Sequence, residues 1–145
     1  MTKGELAESL FKSGMNCSQA VAVSFADEMN MDADLVAQLT IGFGGGMGRM
    51  REVCGAVSGM TFVLSAIYVN DDKAKMYERV QYTANKFKEE TGSIVCRELL
   101  GLSTKGPEAP TPENRTKEYY KKRPCSKIVL LCADILEEYL KLNLV

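Results

Sequence analysis

The stretch Ile41-Gly42-Phe43-Gly44-Gly45-Gly46-Met47-Gly48-Arg49-Met50-Arg51-Glu52-Val53-Cys54-Gly55-Ala56-Val57-Ser58-Gly59 decides how this chain reads. Seven of the chain's twelve glycines fall between Gly42 and Gly59, so the backbone here must turn tightly or approach something closely. No charged residue occurs from Val53 to Val69. With Gly, Ser and Thr inside it, that run is short for a membrane span and reads as the most buried helix, from about Cys54 to Val69. Gly55 and Gly59 are four apart on one helical face, which lets another helix come close. The glycine loop misses the Gly-x-Gly-x-x-Gly form, follows no strand and leads to no Gly-Lys-Ser/Thr, so a nucleotide site is disfavoured.

Working outward, the flanks are helical. Thr2-x-x-Glu5 forms a capping box ahead of Leu6, Ala7, Leu10 and Phe11, and Gly14 ends that helix. Asn16, with Gln19 three residues on, caps a helix carrying Val21, Phe25 and Met29. Asp32 or Asp34 starts a short helix through Leu35, Leu39 and Ile41. Beyond the central helix, Asn70-Asp71-Asp72 caps a stripe of Met76, Tyr77, Val80, Ala84 and Phe87 that Gly92 closes. Ser93 caps a brief turn, Ile94 to Leu100. The segment 103–123, with Pro107, Pro110 and Pro112, reads as a long surface loop. Its basic run Lys117–Arg123, with Tyr119 and Tyr120, suits a solvated loop better than an acidic partner. Pro124 opens the last helix, striped by Ile128, Leu131, Cys132, Ile135, Leu136, Tyr139 and Leu140. With no strand pattern or repeat, the expectation is one all-α domain over residues 1–145, a bundle of five to seven helices.

Composition narrows the function. A net charge of -1 gives no reason to expect nucleic acid or a membrane as partner. The N-terminus lacks a signal-peptide apolar run, which predicts a cytoplasmic protein with reduced thiols. Histidine is absent, which removes Ser-His-Asp and Cys-His catalysis and histidine metal ligands. Any metal must be held by sulfur and oxygen.

Five cysteines remain: Cys17, Cys54, Cys96, Cys125 and Cys132. The first four each fall in the first turn of an expected helix, where unpaired N–H groups and the helix dipole favour thiolate and can hydrogen-bond metal-bound sulfur. Arg49 and Arg51 near Cys54, and Arg97 and Arg123 beside Cys96 and Cys125, add positive charge. Cys132 lies mid-helix on an apolar stripe and reads as core packing. The long intervals from Cys17 to Cys54, Cys96 and Cys125 match no Cys-x-x-Cys motif, so any shared site is assembled by the tertiary fold.

These residues resemble a known family, the redox-active proteins named after the cysteine pattern C-GCAxxG-C-C. The likeness is carried by Asn16-Cys17-Ser18-Gln19-Ala20-Val21, Gly42-Phe43-Gly44-Gly45-Gly46-Met47-Gly48, Cys54-Gly55-Ala56-Val57-Ser58-Gly59, Cys96 and Cys125. It departs from the name motif in having Val53 before Cys54 and Gly59 five positions on. The resemblance implies that Cys17, Cys54, Cys96 and Cys125 act together in redox chemistry. Through a further likeness to the non-haem part of split-Soret cytochromes, it implies an iron–sulfur cluster as cofactor.

Four readings follow. The favoured one is electron transfer through an iron–sulfur centre on the four cysteines, with Gly44, Gly45, Gly46 and Gly55 bringing backbone N–H groups to it. The second is a metal-free thiol–disulfide protein with Cys54 as attacking thiol. The third is a non-enzymatic helical interaction module with core cysteines, and the fourth a zinc site on the same four ligands. The expected partner is a redox protein. The uncharged helix suits a homodimer interface as well as a monomer core.

Overall fold

The computed structural model describes residues 1–102 and 107–143. These form an all-α fold in which the central, uncharged stretch is helix α6, Gly55–Ile67. Before it come α1 (Lys3–Lys12), α2 (Cys17–Val23), α3 (Ala26–Met29), α4 (Ala33–Thr40) and the glycine-rich turn α5 (Gly44–Met47). After it come α7 (Lys73–Thr91), α8 (Cys96–Leu99), α9 (Lys117–Lys122) and α10 (Cys125–Asn143). Among the described residues there are ten helices where about five to seven were expected; four of them, α3, α5, α8 and α9, are short, of four to six residues.

The helix starts follow their caps. Thr2 with Glu5 and Asn16 with Gln19 both close reciprocal capping boxes, and Asp32 and Asp72 accept from Leu35 and Lys75 N–H. Gly92 ends α7 in the left-handed conformation, at φ 91°.

Helix α6 is the hub. Ala56, Met60, Val63 and Leu64 are fully buried, with Phe11, Val21, Phe25, Phe87, Val129 and Leu136 from the helices around it. Each such large side chain contributes about 1.5–3 kcal/mol relative to exposure. Helix α2 crosses α6 at Gly59, where a Cβ would sit 2.7 Å from the Ser18 carbonyl oxygen. Ser18 Oγ also donates to Thr40 O at 2.7 Å, tying α4 to the same crossing. Helix α1 seats on α10 through Gly4, whose N–H donates to Asp134 Oδ1 at 2.9 Å.

Three further expectations change and one holds. The helix read through Val21, Phe25 and Met29 is broken after Val23, where Ser24 Oγ bonds back to Val21 O at 2.6 Å and competes with the backbone ladder. The glycine loop turns tightly, as expected: a 3-10 turn over Ile41–Phe43 runs into a left-handed turn with Gly45 and Gly46 both at φ 69°. Residues 94 and 95 are not helical, because Val95 pairs with Val53 in an isolated antiparallel bridge, and α8 starts at Cys96. In the expected surface loop 103–123, residues 103–106 lie outside the described residues, 107–116 are irregular, and 117–122 are helix α9, capped by Thr116. Among the described residues, no helix is long and apolar enough to cross a membrane.

Candidate functional site: a four-cysteine cavity

The left-handed turn at Gly45–Gly48 throws the chain back past α8. A Cβ on Gly46 would lie 2.7 Å from Cys96 Cβ and 2.8 Å from Arg51 Cα, so only glycine lets these stretches of chain touch. Three residues that are not glycine share this strain: Met47, Arg49 and Arg51 have φ of 69°, 67° and 60°. The chain then runs beside residues 94–96. Cys54 N–H donates to Ile94 O at 2.7 Å, and Cys96 N–H donates to Glu52 O at 2.6 Å. Two cysteines that are far apart in the sequence are thereby locked side by side.

The other two arrive on α2 and α10. Cys17 is the first residue of α2 and Cys125 the first of α10. A Cβ on Gly55 would be 3.3 Å from Cys17 Cβ, so the glycine after Cys54 lets α2 approach the start of α6. All four cysteines line one cavity of about 350 Å³. Gly44, Gly45, Gly46 and Gly55 line it too, as do Arg49, Arg51, Arg115, Arg123 and Tyr119. Each cysteine stands at the start of a different helix: first residue of α2, α8 and α10, and N-cap of α6.

The thiols are not equivalent. Cys54 is pushed up to about 12 by burial, which outweighs the downward pull of the backbone at Ala56 and Val57. Burial also raises Cys96, against Arg51, whose Nη1 lies 3.5 Å from its Sγ. Cys17 and Cys125 face each other as a hydrogen-bonded pair. That bond lowers Cys125 to about 7, helped by the charges of Arg123, Arg51 and Arg115, and it raises Cys17. The expectation that helix starts depress all four thiols therefore fails for three of them. At Cys54 and Cys96 desolvation outweighs the short dipole of a helix end; at Cys17 the bond to Cys125 comes first and desolvation second. Of the four, Cys125 is held low and Cys54, the expected attacking thiol, is not. All five cysteines are free thiols. Cys132 is fully buried against α6, its Sγ 3.2 Å from Ala56 O and 3.7 Å from Met60 Sδ, in the packing role expected of it.

The arginines sit differently from expectation. Arg51 reaches Cys96 rather than Cys54. Arg97 turns away to Met50 O, at 3.1 Å, and Glu52. Arg115 and Tyr119 are among the cavity residues that sequence reading missed. Arg115 stacks 4.1 Å over the Phe11 ring and donates to Phe11 O and, at 2.7 Å, to Met15 O. Tyr119 is raised to about 12 by burial next to Cys125 and Cys17. Neither carries a local signal beyond lying in a basic, proline-rich segment.

That segment crosses the cavity. Pro110, Pro112 and Glu113 line it, Glu108 N–H donates to Arg49 O at 3.0 Å, and Arg49 Nη1 donates to Thr111 O at 2.7 Å. Arg51 is ion-paired to Glu108, and Arg123 to Glu113. Among the described residues, no three His, Cys, Asp or Glu side chains stand together as ligands for a single metal ion.

The fold and site thus define an all-α protein with four thiols converging on one cavity. The chain matches, over residues 15–139, the sequence family described as "Putative redox-active protein (C_GCAxxG_C_C)", and it belongs to that family. No curated protein and no solved structure matches it.

Proposed function

We propose that the cavity holds an iron–sulfur centre on Cys17, Cys54, Cys96 and Cys125, and that the protein transfers electrons. The observation that carries this reading is the convergence of four thiols, one from the start of each of four helices, on a shared volume. The donor set fits. Four thiolates suffice for a [2Fe–2S] or [4Fe–4S] cluster, which when bound supplies one-electron chemistry. Thiols spread around a cavity suit a multi-atom inorganic core better than one tetrahedral zinc ion, which draws its ligands to a single point. Four arginines at the wall offset the negative charge that four thiolates bring. The glycines let α2 and α8 approach closely enough for the sulfurs to share the cavity.

A second reading rests on the Cys17–Cys125 pair. Cys125 thiolate would attack a partner disulfide, releasing one partner thiolate. Cys17 would then attack the mixed disulfide, releasing the second and leaving a Cys17–Cys125 disulfide. The test is one preparation, purified without oxygen and assayed for iron, acid-labile sulfide and thiols. Iron with sulfide supports the centre. Iron-free protein that loses two thiols reversibly to oxidised glutathione supports the dithiol. Iron-free protein with an oxidant-insensitive thiol count contradicts both.

A further inference from the structure

The cavity's most buried cation is Arg51, which is 7 % exposed and is held in the left-handed region at φ 60°. Backbone strain of this kind persists where the surroundings over-determine it. Here they do. Arg51 N–H donates to Gly45 O at 3.1 Å, Arg51 O accepts from Arg97 N–H at 3.2 Å, and Gly46 closes against its Cα. The outcome of this strain is a guanidinium with Nη1 at Cys96 Sγ and Nε on the Glu108 carboxylate. One cation is thus divided between a site sulfur and an acid carried by the overlying segment.

We propose that Arg51 is the positioning residue that sets the reduction potential of this site, and that Glu108 counterbalances it. The inference rests on the redox reading above, in either of its forms. Reduction adds negative charge at the sulfurs, whether an electron enters a thiolate-bound centre or two electrons and two protons convert a disulfide to thiols in equilibrium with thiolate. At Cys96 a buried guanidinium at hydrogen-bond range stabilises that added charge; in the dithiol form the same cation, on the wall of the shared cavity, acts on Cys125 through its charge alone, in a setting where screening by water is weak. Glu108 draws on the same guanidinium, and its own charge acts in the opposite direction.

The two substitutions therefore carry opposite signs. Arg51→Gln should lower the potential, and Glu108→Gln should raise it. Arg51→Lys, which keeps the charge without the fork, should recover part of the shift. Loss of one charge-assisted hydrogen bond corresponds to about a tenfold change in the oxidised-to-reduced ratio at a fixed solution potential. The full chain, as isolated, is titrated against redox dyes if it carries iron, or against a glutathione couple if it does not. Lys121→Gln, on an exposed side chain ion-paired to Glu118 in the same short helix, is the control and should leave the potential unchanged. A loosened fold would move both site variants in the same direction, and that result overturns the inference, as does a wild-type potential in both. If Arg51→Gln does not fold, Glu108→Gln still decides by the sign of its shift. A chain with no reversible couple overturns the inference together with the redox reading.

Discussion

Cys125 is where local chemistry is most distinct. Its low value comes first from the Cys17 hydrogen bond and then from Arg123, Arg51 and Arg115. In iron-free, reduced protein, iodoacetamide should modify Cys125 before the other cysteines, with a rate that rises through about pH 7. Cys17→Ala removes the hydrogen bond, and the midpoint should climb toward the ordinary thiol range. Mass-spectrometric labelling against pH reads both. The linkage has a sign. A thiol depressed by folding adds stability above its unfolded value of about 8.5, and that stability is lost as pH falls through the folded value. Cys54 does the reverse: its thiol stays neutral in the fold while the unfolded chain ionises, so its contribution declines as pH rises toward about 12. Cys132 stands apart from this chemistry. Cys132→Ala should cost about 1 kcal/mol through lost packing and leave the redox response intact, as denaturant titration and the thiol or iron assay would show.

The elements work by close approach. Gly59 lets α2 lie on α6, and Gly55 brings Cys17 to the start of α6. Gly59→Ala would place a methyl against the Ser18 backbone, where no flexible side chain can yield. The expected loss is about 1–3 kcal/mol, which in a chain of this size lowers the thermal midpoint by about 3 °C per kcal/mol. Because α2 carries Cys17, the same change should weaken the site. Gly14→Ala is the useful contrast. Gly14 has φ 123° but open space around it, so only backbone strain is added and the cavity is untouched. The helices were readable because their caps and stripes are local: Thr2, Asn16, Asp32 and Asp72 stand where their starts require them. The Val53–Val95 bridge was not readable, since a single pairing has no periodicity and its partners are distant in the chain.

At the scale of the molecule, the sequence indicated which cysteines belong together but not what surrounds them. Four helix-start cysteines and one on an apolar stripe could be sorted by position alone. Their proton affinities could not, because they are set by the assembled fold: burial overrides the helix ends at Cys54 and Cys96, and the bond to Cys125 leads at Cys17. The proline-rich segment reads as a surface loop and most of 107–116 is exposed; composition could not show that it also borders the cavity and is fastened there by Arg49, Arg51 and Arg115, all distant contacts. The central claim is that Cys17, Cys54, Cys96 and Cys125 form one centre that excludes Cys132. It is tested most directly by iron and acid-labile sulfide content in anaerobically purified wild type and the five single Cys→Ser variants. The account predicts iron and sulfide in wild type and Cys132→Ser, and their loss in Cys17→Ser, Cys54→Ser, Cys96→Ser and Cys125→Ser. Equal iron in all five variants, or no iron in wild type, would contradict it.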